Sequence, residues 1–259
     1  MNTYRYVAVG DSFSEGVGDP GPDGTFVGWA DRFAALLAVR QADVAYANLA
    51  VRGMTTRQVL DTQLAPAIAL RPDLVSAVAG MNDLIRPKLD FRTVVAHLDA
   101  LVGGLAATGA KVITATLPTP AQGTPLPGPL RRQLVKRLGL WNAFTRKVAA
   151  AHGALCLDLA VMMPPGVGGW SDDRLHPGPD GHRAAAEACV ELLDGHPPRR
   201  LAVTEIVAVD PGEPTLADQW RWARQFLVPY VKRRFRGQHR VTGLMAKLPG
   251  YGTPDRVHP

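Results

Sequence analysis

The stretch Leu74-Val75-Ser76-Ala77-Val78-Ala79 is apolar at nearly every position. A strand with one face in solvent alternates apolar and polar residues, whereas a strand covered on both faces is an almost continuous apolar run. The sequence therefore predicts that residues 74–79 form a central parallel strand with helices packed on both of its sides.

Elements of two kinds alternate on either side of this stretch. The other candidate strands are Tyr4–Val9, Val44–Asn48, Lys111–Thr116 and Ala154–Leu157. Helical spacing of apolar residues marks candidate helices at Gly28–Arg40, Thr56–Leu64, Phe91–Thr108, Pro129–His152 and Asp180–Leu193, the last with Asp180 as its cap. Alternating strands and helices predict a parallel sheet with right-handed crossovers, and hence a three-layer α/β/α fold.

The composition is that of a globular protein. Of 259 residues, 46% are hydrophobic and 20% are charged, and no apolar run reaches the ~18 residues that a membrane span needs. Met1 to Gly10 show no signal-peptide pattern, so we expect a cytoplasmic protein. Cys156 and Cys189 have neither the spacing of a metal site nor that of a disulfide framework, and we interpret them as buried thiols.

The positive charge lies in a C-terminal extension. Residues 1–195 contain 18 Lys and Arg against 18 Asp and Glu, so the residues after them carry the whole net charge of +6. The strand–helix rhythm also stops near Pro197. We therefore predict a catalytic domain at residues 1–196 and a basic extension at residues 197–259.

Within the extension, Leu216–Arg236 has the pattern of an amphipathic helix, with Leu216, Trp220, Ala223, Leu227 and Tyr230 on one stripe. Three interpretations remain open. The stripe packs on the body, the helix lies on an anionic membrane, or it contacts another macromolecule. Interspersed Trp and Arg do not make a nucleic-acid module, so no nucleic-acid partner is expected. The oligomeric state is not readable from the sequence.

Ligands of open α/β sheets bind beyond the carboxyl ends of the strands. Ser12 lies there, in Gly10-Asp11-Ser12-Phe13-Ser14-Glu15-Gly16 after the first strand. A serine nucleophile needs a general base, and an imidazole held by a carboxylate is the usual one. Asp173 and His176 are three residues apart just before the last helix, so their side chains can meet.

Acyl transfer also needs hydrogen-bond donors for the oxyanion. Candidates are the backbone N–H groups of Ser12 and Gly53 and the side-chain amide of Asn82, each just after a strand. Alone, each donor segment is more often an ordinary turn, and an Asp-x-x-His pair is more often a surface ion pair or turn. Their concentration at one edge of the sheet favours a catalytic site.

These segments resemble the conserved blocks of the SGNH hydrolase superfamily, also called the GDSL family, in bacterial, actinobacterial-like form. Ser12, Gly53, Asn82 and His176 match its four name-giving residues, and Asp173 matches its acidic residue. The resemblance covers about residues 4–194. It implies a flavodoxin-like fold with five parallel strands and cleavage of esters, thioesters or acetylated sugars through an acyl-enzyme, with no metal or cofactor. The α/β-hydrolase signature Gly-x-Ser-x-Gly is absent.

The substrate is less defined than the chemistry. Asp11, Met81 and Trp170 are candidate substrate-binding residues, and a small-molecule ester with a small or medium acyl group is the default substrate. A deacetylase or acyltransferase acting on sugars or natural products would use the same residues. A membrane-surface or partner-binding module that retains the fold is a third alternative, against which the intact set of catalytic residues argues.

Overall fold

The computed structural model describes residues 3–22, 24–41, 43–119, 124, 126–163, 169–196, 215–227 and 243–254. Their sheet consists of β1 (Tyr4–Gly10), β2 (Val44–Asn48), β3 (Leu74–Val78), β4 (Lys111–Ala115), β5 (Leu155–Leu157) and β6 (Leu248–Gly252). The strand order is β5-β4-β3-β1-β2-β6. Strands β1 to β5 are parallel, as predicted, and β6 runs antiparallel to β2.

Helices cover both faces of this sheet. The helices of the described residues are α1 (Ser12–Glu15), α2 (Gly28–Arg40), α3 (Thr56–Ala69), α4 (Met81–Leu84), α5 (Phe91–Ala106), α6 (Gly128–Ala151), α7 (Leu159–Met162), α8 (Pro179–Leu193) and α9 (Leu216–Trp222). Helix α2 packs against α8, whereas α5 packs against α3 and α6. Every residue of β3 is buried between these layers. The predicted three-layer α/β/α fold is therefore confirmed.

The strand order reverses at β1. The chain passes from β1 to β2 on one side and then returns to β3 on the other side of β1. Loops that leave neighbouring strands in opposite directions open a crevice at such a switch point, and ligands bind there. Ser12 follows β1 and Asn82 follows β3, so both residues lie at this crevice.

The sheet has six strands where five were predicted. Strand β6 comes from the C-terminal extension and pairs with β2, Asn48 opposite Leu248 and Tyr46 opposite Gly252. Pro249 and two glycines hide this strand from sequence patterns, but an edge position tolerates them. Pairing with β6 covers the N–H and C=O groups that β2 would otherwise leave exposed at the edge.

Two helix ends differ from the prediction. Helix α3 continues past Leu64 and through Pro66 to Ala69, because Val59, Gln63 and Ala67 form a buried face that offsets the lost hydrogen bond. Asp180 does not cap α8. Gly178 occupies the N-cap position without a side-chain bond, Pro179 begins the helix, and Asp180 instead pairs with Arg183.

The predicted helix at Leu216–Arg236 is only partly described. Helix α9 ends at Trp222 and continues as a π-helical turn, Ala223–Leu227, and residues 228–236 lie outside the described residues. Trp220, which was placed on the packing stripe, is 76% exposed, whereas Trp222 is 5% exposed. The boundary predicted near residue 197 falls outside the described residues as well and stays a prediction.

Candidate active site

The turn that carries Ser12 is packed against the end of β3. Strand β1 ends at Gly10, whose φ is +143°, and a Cβ there would lie 2.1 Å from the carbonyl oxygen of Val78. Only glycine fits this approach without strain. The next residue, Asp11, donates its backbone N–H to the same carbonyl at 3.3 Å. Ser12 therefore begins the single turn of α1 in a fixed position at the sheet edge.

Asp173 and His176 lie on a narrow loop before α8. Its two sides are joined by the hydrogen bonds from Ser171 N to His176 O (2.9 Å) and from Gly178 N to Gly169 O (2.7 Å). The Asp173 Oδ1 atom accepts hydrogen bonds from Ser171 Oγ at 2.8 Å and from the backbone N–H groups of Leu175 and His176 at 2.9 Å. Three donors thus orient the carboxylate.

Serine, imidazole and carboxylate are connected in series. His176 Nε2 lies 2.8 Å from Ser12 Oγ, and His176 Nδ1 lies 2.6 Å from Asp173 Oδ2. Burial acts to raise the pKa of Asp173, but its hydrogen bonds and the charge interaction with His176 outweigh burial and hold that pKa below its usual range. An ionised Asp173 accepts a hydrogen bond from His176 Nδ1–H, which leaves Nε2 without a proton and able to take the one on Ser12 Oγ.

Asn82 is oriented by two acceptors. Its amide nitrogen donates to Asp11 Oδ2 at 3.1 Å and to the Met54 carbonyl at 3.0 Å. The other oxygen of Asp11 accepts the Phe13 N–H at 3.2 Å. Burial raises the pKa of Asp11 to about 6, although the Phe13 N–H and the charge of His176 act in the opposite direction. Asp11 is 3% exposed and faces these groups.

The loop after β2 brings Gly53 to the same edge. The Val51 N–H donates to the Gly10 carbonyl at 3.2 Å, and the Arg52 N–H donates to Glu15 Oε2 at 2.6 Å. Gly53 itself has φ +84°, a left-handed conformation. Within the described ranges, no residue accepts a hydrogen bond from the N–H of Gly53 or of Ser12. Both donors are available to a ligand.

A second imidazole lies beneath the turn of Ser12. His182 stacks on Phe13 with ring centroids 5.6 Å apart. Its Nδ1 accepts the Trp29 N–H at 3.0 Å and its Nε2 donates to the Val17 carbonyl at 3.2 Å. Burial lowers the pKa of His182 to about 4, so it is neutral near pH 7 and serves as packing beneath the turn.

The remaining candidates for substrate contact differ in exposure. Met81 begins α4 and is half-buried, and Trp170 is half-buried with an indole N–H that has no acceptor within the described segments. Trp29 and Met54, close to the same turns, are buried. Residues 120–123 and 125 of the Pro-rich loop after β4 lie outside the described residues.

Three residues that the sequence did not single out also contact this site. Gln63 in α3 donates to the Gly10 carbonyl at 2.9 Å and accepts the Gly10 N–H at 2.7 Å. The Trp222 indole donates to the Asp173 carbonyl at 3.0 Å, and Lys247 donates to the Glu15 carbonyl at 2.8 Å. They belong to no motif, and only their three-dimensional neighbours identify them. No metal-holding cluster of three His, Cys, Asp or Glu occurs in the described parts of the chain.

A serine hydroxyl, an imidazole and a carboxylate connected in series, with available N–H donors beside them, is the arrangement found in serine hydrolases. The chain belongs to the GDSL-like lipase/acylhydrolase family, whose model matches residues 8–184. The family predicted from the sequence is therefore confirmed, and the protein is a carboxylic ester hydrolase. No curated protein matches the chain significantly.

Solved structures share this fold at low sequence identity. A lipase/acylhydrolase from Enterococcus faecalis is 22% identical, with a TM-score of 0.61 over 76% of this chain and 99% of its own. The acetylxylan esterase Axe2 from Geobacillus stearothermophilus, in a catalytic mutant, is 21% identical, with a TM-score of 0.57 over 74% and 95% of the two chains. TesA is 23% identical, with a TM-score of 0.56 over 74% and 98%.

No helix in the described residues is both long and apolar enough to span a membrane.

Proposed function

We propose that this hydrolase cleaves carboxylic esters of small or medium acyl groups with Ser12 as nucleophile, His176 as general base and Asp173 as the carboxylate that orients it. The observation that carries the proposal is the connected series Asp173–His176–Ser12, with hydrogen-bond lengths of 2.6 and 2.8 Å. Membership of the family adds support, since the matched residues 8–184 include all three side chains.

The reaction proceeds in two halves. His176 Nε2 takes the Ser12 proton as Oγ attacks the ester carbonyl, and Asp173 stabilises the resulting imidazolium. Collapse of the tetrahedral intermediate breaks the bond to the alcohol, which leaves with the proton from His176. In the second half, His176 deprotonates a water that attacks the acyl-enzyme. The carboxylic acid is released and the proton returns to Ser12.

The oxyanion is bound by the N–H groups of Ser12 and Gly53 and by the Asn82 amide. In the free enzyme both protons of that amide are used, one by Asp11 and one by the Met54 carbonyl. Hydrogen bonds to a carboxylate are the stronger of the two kinds. Asn82 therefore keeps its hydrogen bond to Asp11, and the N–H that donates to the Met54 carbonyl in the free enzyme turns toward the oxyanion.

The test is hydrolysis of p-nitrophenyl acetate, butyrate and octanoate by wild type, Ser12→Ala and Ser14→Ala. Ser14 is a matched control because it lies in the same turn, is fully buried and its hydroxyl has no hydrogen-bond partner within the described segments. We expect loss of turnover, and of labelling by a fluorophosphonate, in Ser12→Ala alone. Turnover that survives in Ser12→Ala would show that Ser12 is not the nucleophile.

An acetylated sugar is the second candidate substrate. It is suggested by the similarity of the fold to structures described as acetylxylan esterases. Acetate release from acetylated xylo-oligosaccharides, measured beside p-nitrophenyl acetate, separates the two. Greater kcat/KM on the oligosaccharide would favour the sugar, and a product acetylated on an added alcohol would indicate acyl transfer.

Peripheral membrane contact through residues 216–236 has one supporting observation. Trp220, Arg221 and Arg224 are exposed on α9 and the turn after it. Cosedimentation of the whole chain with phosphatidylserine vesicles, compared with Trp220→Ser/Arg224→Ser, tests it. Equal binding of the two proteins, or none, would contradict a membrane role for this surface.

A further inference from the structure

The C-terminal extension reaches the candidate active site at two separate points. One is Trp222, at the end of α9, and the other is Lys247, one residue before β6. Trp222 contacts the loop that carries Asp173, and Lys247 contacts the turn that carries Ser12. One contact therefore supports the residue on the Nδ1 side of His176, Asp173, and the other supports the residue on its Nε2 side, Ser12.

Lys247 places its ammonium group among four acceptors of the catalytic domain. Its Nζ lies 2.8 Å from the carbonyl oxygens of Glu15 and Phe26, 3.2 Å from that of Val27 and 2.6 Å from Asp31 Oδ2. The Lys247 side chain is 19% exposed and that of Asp31 is 20% exposed. A partly buried ammonium loses hydration, and these four acceptors replace the hydrogen bonds that it made with water. The Lys247 charge is therefore stabilised at this position.

These acceptors belong to the segment that holds the nucleophile. Glu15 is the last residue of α1, which Ser12 begins, and Phe26 and Val27 lead into α2. The Glu15 carboxylate in turn accepts the Arg52 N–H and pairs with the Arg52 guanidinium. Arg52 directly precedes Gly53, so Lys247 is connected through Glu15 to both the Ser12 turn and the oxyanion loop.

Trp222 fixes the peptide group that follows the carboxylate. Its indole Nε1 donates to the Asp173 carbonyl at 3.0 Å, and the side chain is buried. The next residue, Arg174, has φ +56°, a left-handed conformation that is unfavourable for a residue with a Cβ. The indole hydrogen bond stabilises that peptide orientation, and with it the direction in which Asp173 points.

We propose that the C-terminal extension completes the catalytic machinery, with Lys247 and Trp222 as positioning residues that hold Ser12 and Asp173 at hydrogen-bond distance from His176. The inference rests on the proposed roles of these three residues. A displacement of about 1 Å in a reacting group can slow a reaction about 100-fold, so loss of either contact lowers kcat more than it raises KM.

The experiment compares Lys247→Met and Trp222→Phe with wild type in the whole chain. Methionine keeps most of the length of lysine without its charge, and phenylalanine keeps a ring without the N–H donor. We expect kcat for p-nitrophenyl butyrate and the rate of fluorophosphonate labelling to fall about tenfold for Lys247→Met and about fivefold for Trp222→Phe. We expect KM to change less than twofold.

Two controls separate positioning from stability. Tyr251→Phe removes the 2.9 Å hydrogen bond from Tyr251 Oη to the Leu70 carbonyl, which joins β6 to the body away from Ser12, and should lower Tm with kcat unchanged. Trp220→Phe alters an exposed tryptophan of the same helix and should change neither.

The outcomes are distinguishable. Values of kcat and labelling rate within twofold of wild type for both Lys247→Met and Trp222→Phe, while Ser12→Ala is inactive, would overturn the positioning role and leave the proposed nucleophile intact. An active Ser12→Ala would overturn both. If Lys247→Met does not fold, the result for Trp222→Phe decides the matter for the Asp173 loop.

Discussion

The Asn82 side chain lies between Asp11 and Met54, and its proposed role as an oxyanion donor can be tested by substitution. If Asn82 donates to the oxyanion, Asn82→Ala removes a bond that forms fully only in the transition state. We expect kcat to fall about 100- to 1,000-fold with KM nearly unchanged, measured on p-nitrophenyl butyrate. A loss of less than tenfold in a variant that melts like wild type would contradict the assignment.

The burial of Asp11 leads to a second prediction, about the pH dependence of stability. Its pKa is about 6 in the fold, above the ordinary 3.8, so between these values the folded state holds the proton more tightly than the unfolded chain. The contribution of Asp11 to the free energy of unfolding is therefore complete below pH 4 and is lost as the pH rises through 6. The loss amounts to about 3 kcal/mol, at ~1.4 kcal/mol for each pKa unit.

Asp11→Asn removes this titration. We expect the difference in unfolding free energy, wild type minus variant, to decrease as the pH rises from 4 to 7, as measured by urea denaturation. A difference that stays constant over that range would show that Asp11 does not titrate there.

Some residues of the site can be predicted from the sequence and others cannot. Ser12, Gly53, Asn82 and His176 each lie in a short segment after a strand or before α8, so local pattern and topology together indicate them. Gln63, Trp222 and Lys247 act on groups up to 232 positions away in the chain. No local pattern encodes such a contact.

At the scale of secondary structure, α3 continues through a proline because its buried face outweighs the tendency of proline to end a helix. Pro66 lies inside this helix and is exposed, so its ring contributes little to the core. Proline in a helix interior is about 3 kcal/mol less favourable than alanine. Because proline also restricts the unfolded chain, it returns about 0.4–1 kcal/mol of stability.

Pro66→Ala should therefore raise the free energy of unfolding by about 1–3 kcal/mol and Tm by several degrees, without changing kcat. Ala65→Gly, at the preceding exposed position, is the matched control and should lower it by about 1 kcal/mol. A lower Tm for Pro66→Ala would mean that the ring stabilises α3 in a way the contacts do not show.

The elements predicted from the sequence were those with a strong periodic signal. Strands β1 to β4 and helices α2, α5 and α6 end within two residues of their predicted limits, because long buried faces leave clear apolar patterns. The end of α3, the cap of α8 and strand β6 were not predicted. Tertiary contacts outweigh the local preference of Pro66 and Pro249, whereas α8 begins at Pro179, one residue before Asp180, and Asp180 pairs with Arg183 in the same helix.

For the whole molecule, the pairing of β6 with β2 predicts how the edge of the sheet exchanges its amide hydrogens. In Tyr251→Phe, exchange should become faster in peptides that cover residues 44–48 and 248–252, because β6 separates from β2 more often without the bond to Leu70 while the paired state still predominates. Peptides covering residues 111–115, at the other side of the sheet, should be unaffected. Unchanged exchange at residues 44–48 would contradict a paired edge.

With the positioning roles proposed above for Trp222 and Lys247, the same pairing also sets when the enzyme becomes fully active. Strand β6 (Leu248–Gly252) joins a partner that is synthesised about 200 residues earlier, at Val44–Asn48. Chains fold from the N-terminus as they are made, and closing so long a loop costs conformational entropy. The segments that carry Ser12, Asp173 and His176 are therefore made, and begin to fold, while Trp222 and Lys247 are still to be placed. A nascent chain should carry its serine, histidine and aspartate for some time as a poor esterase, and acquire full hydrolytic power as one of its last folding events.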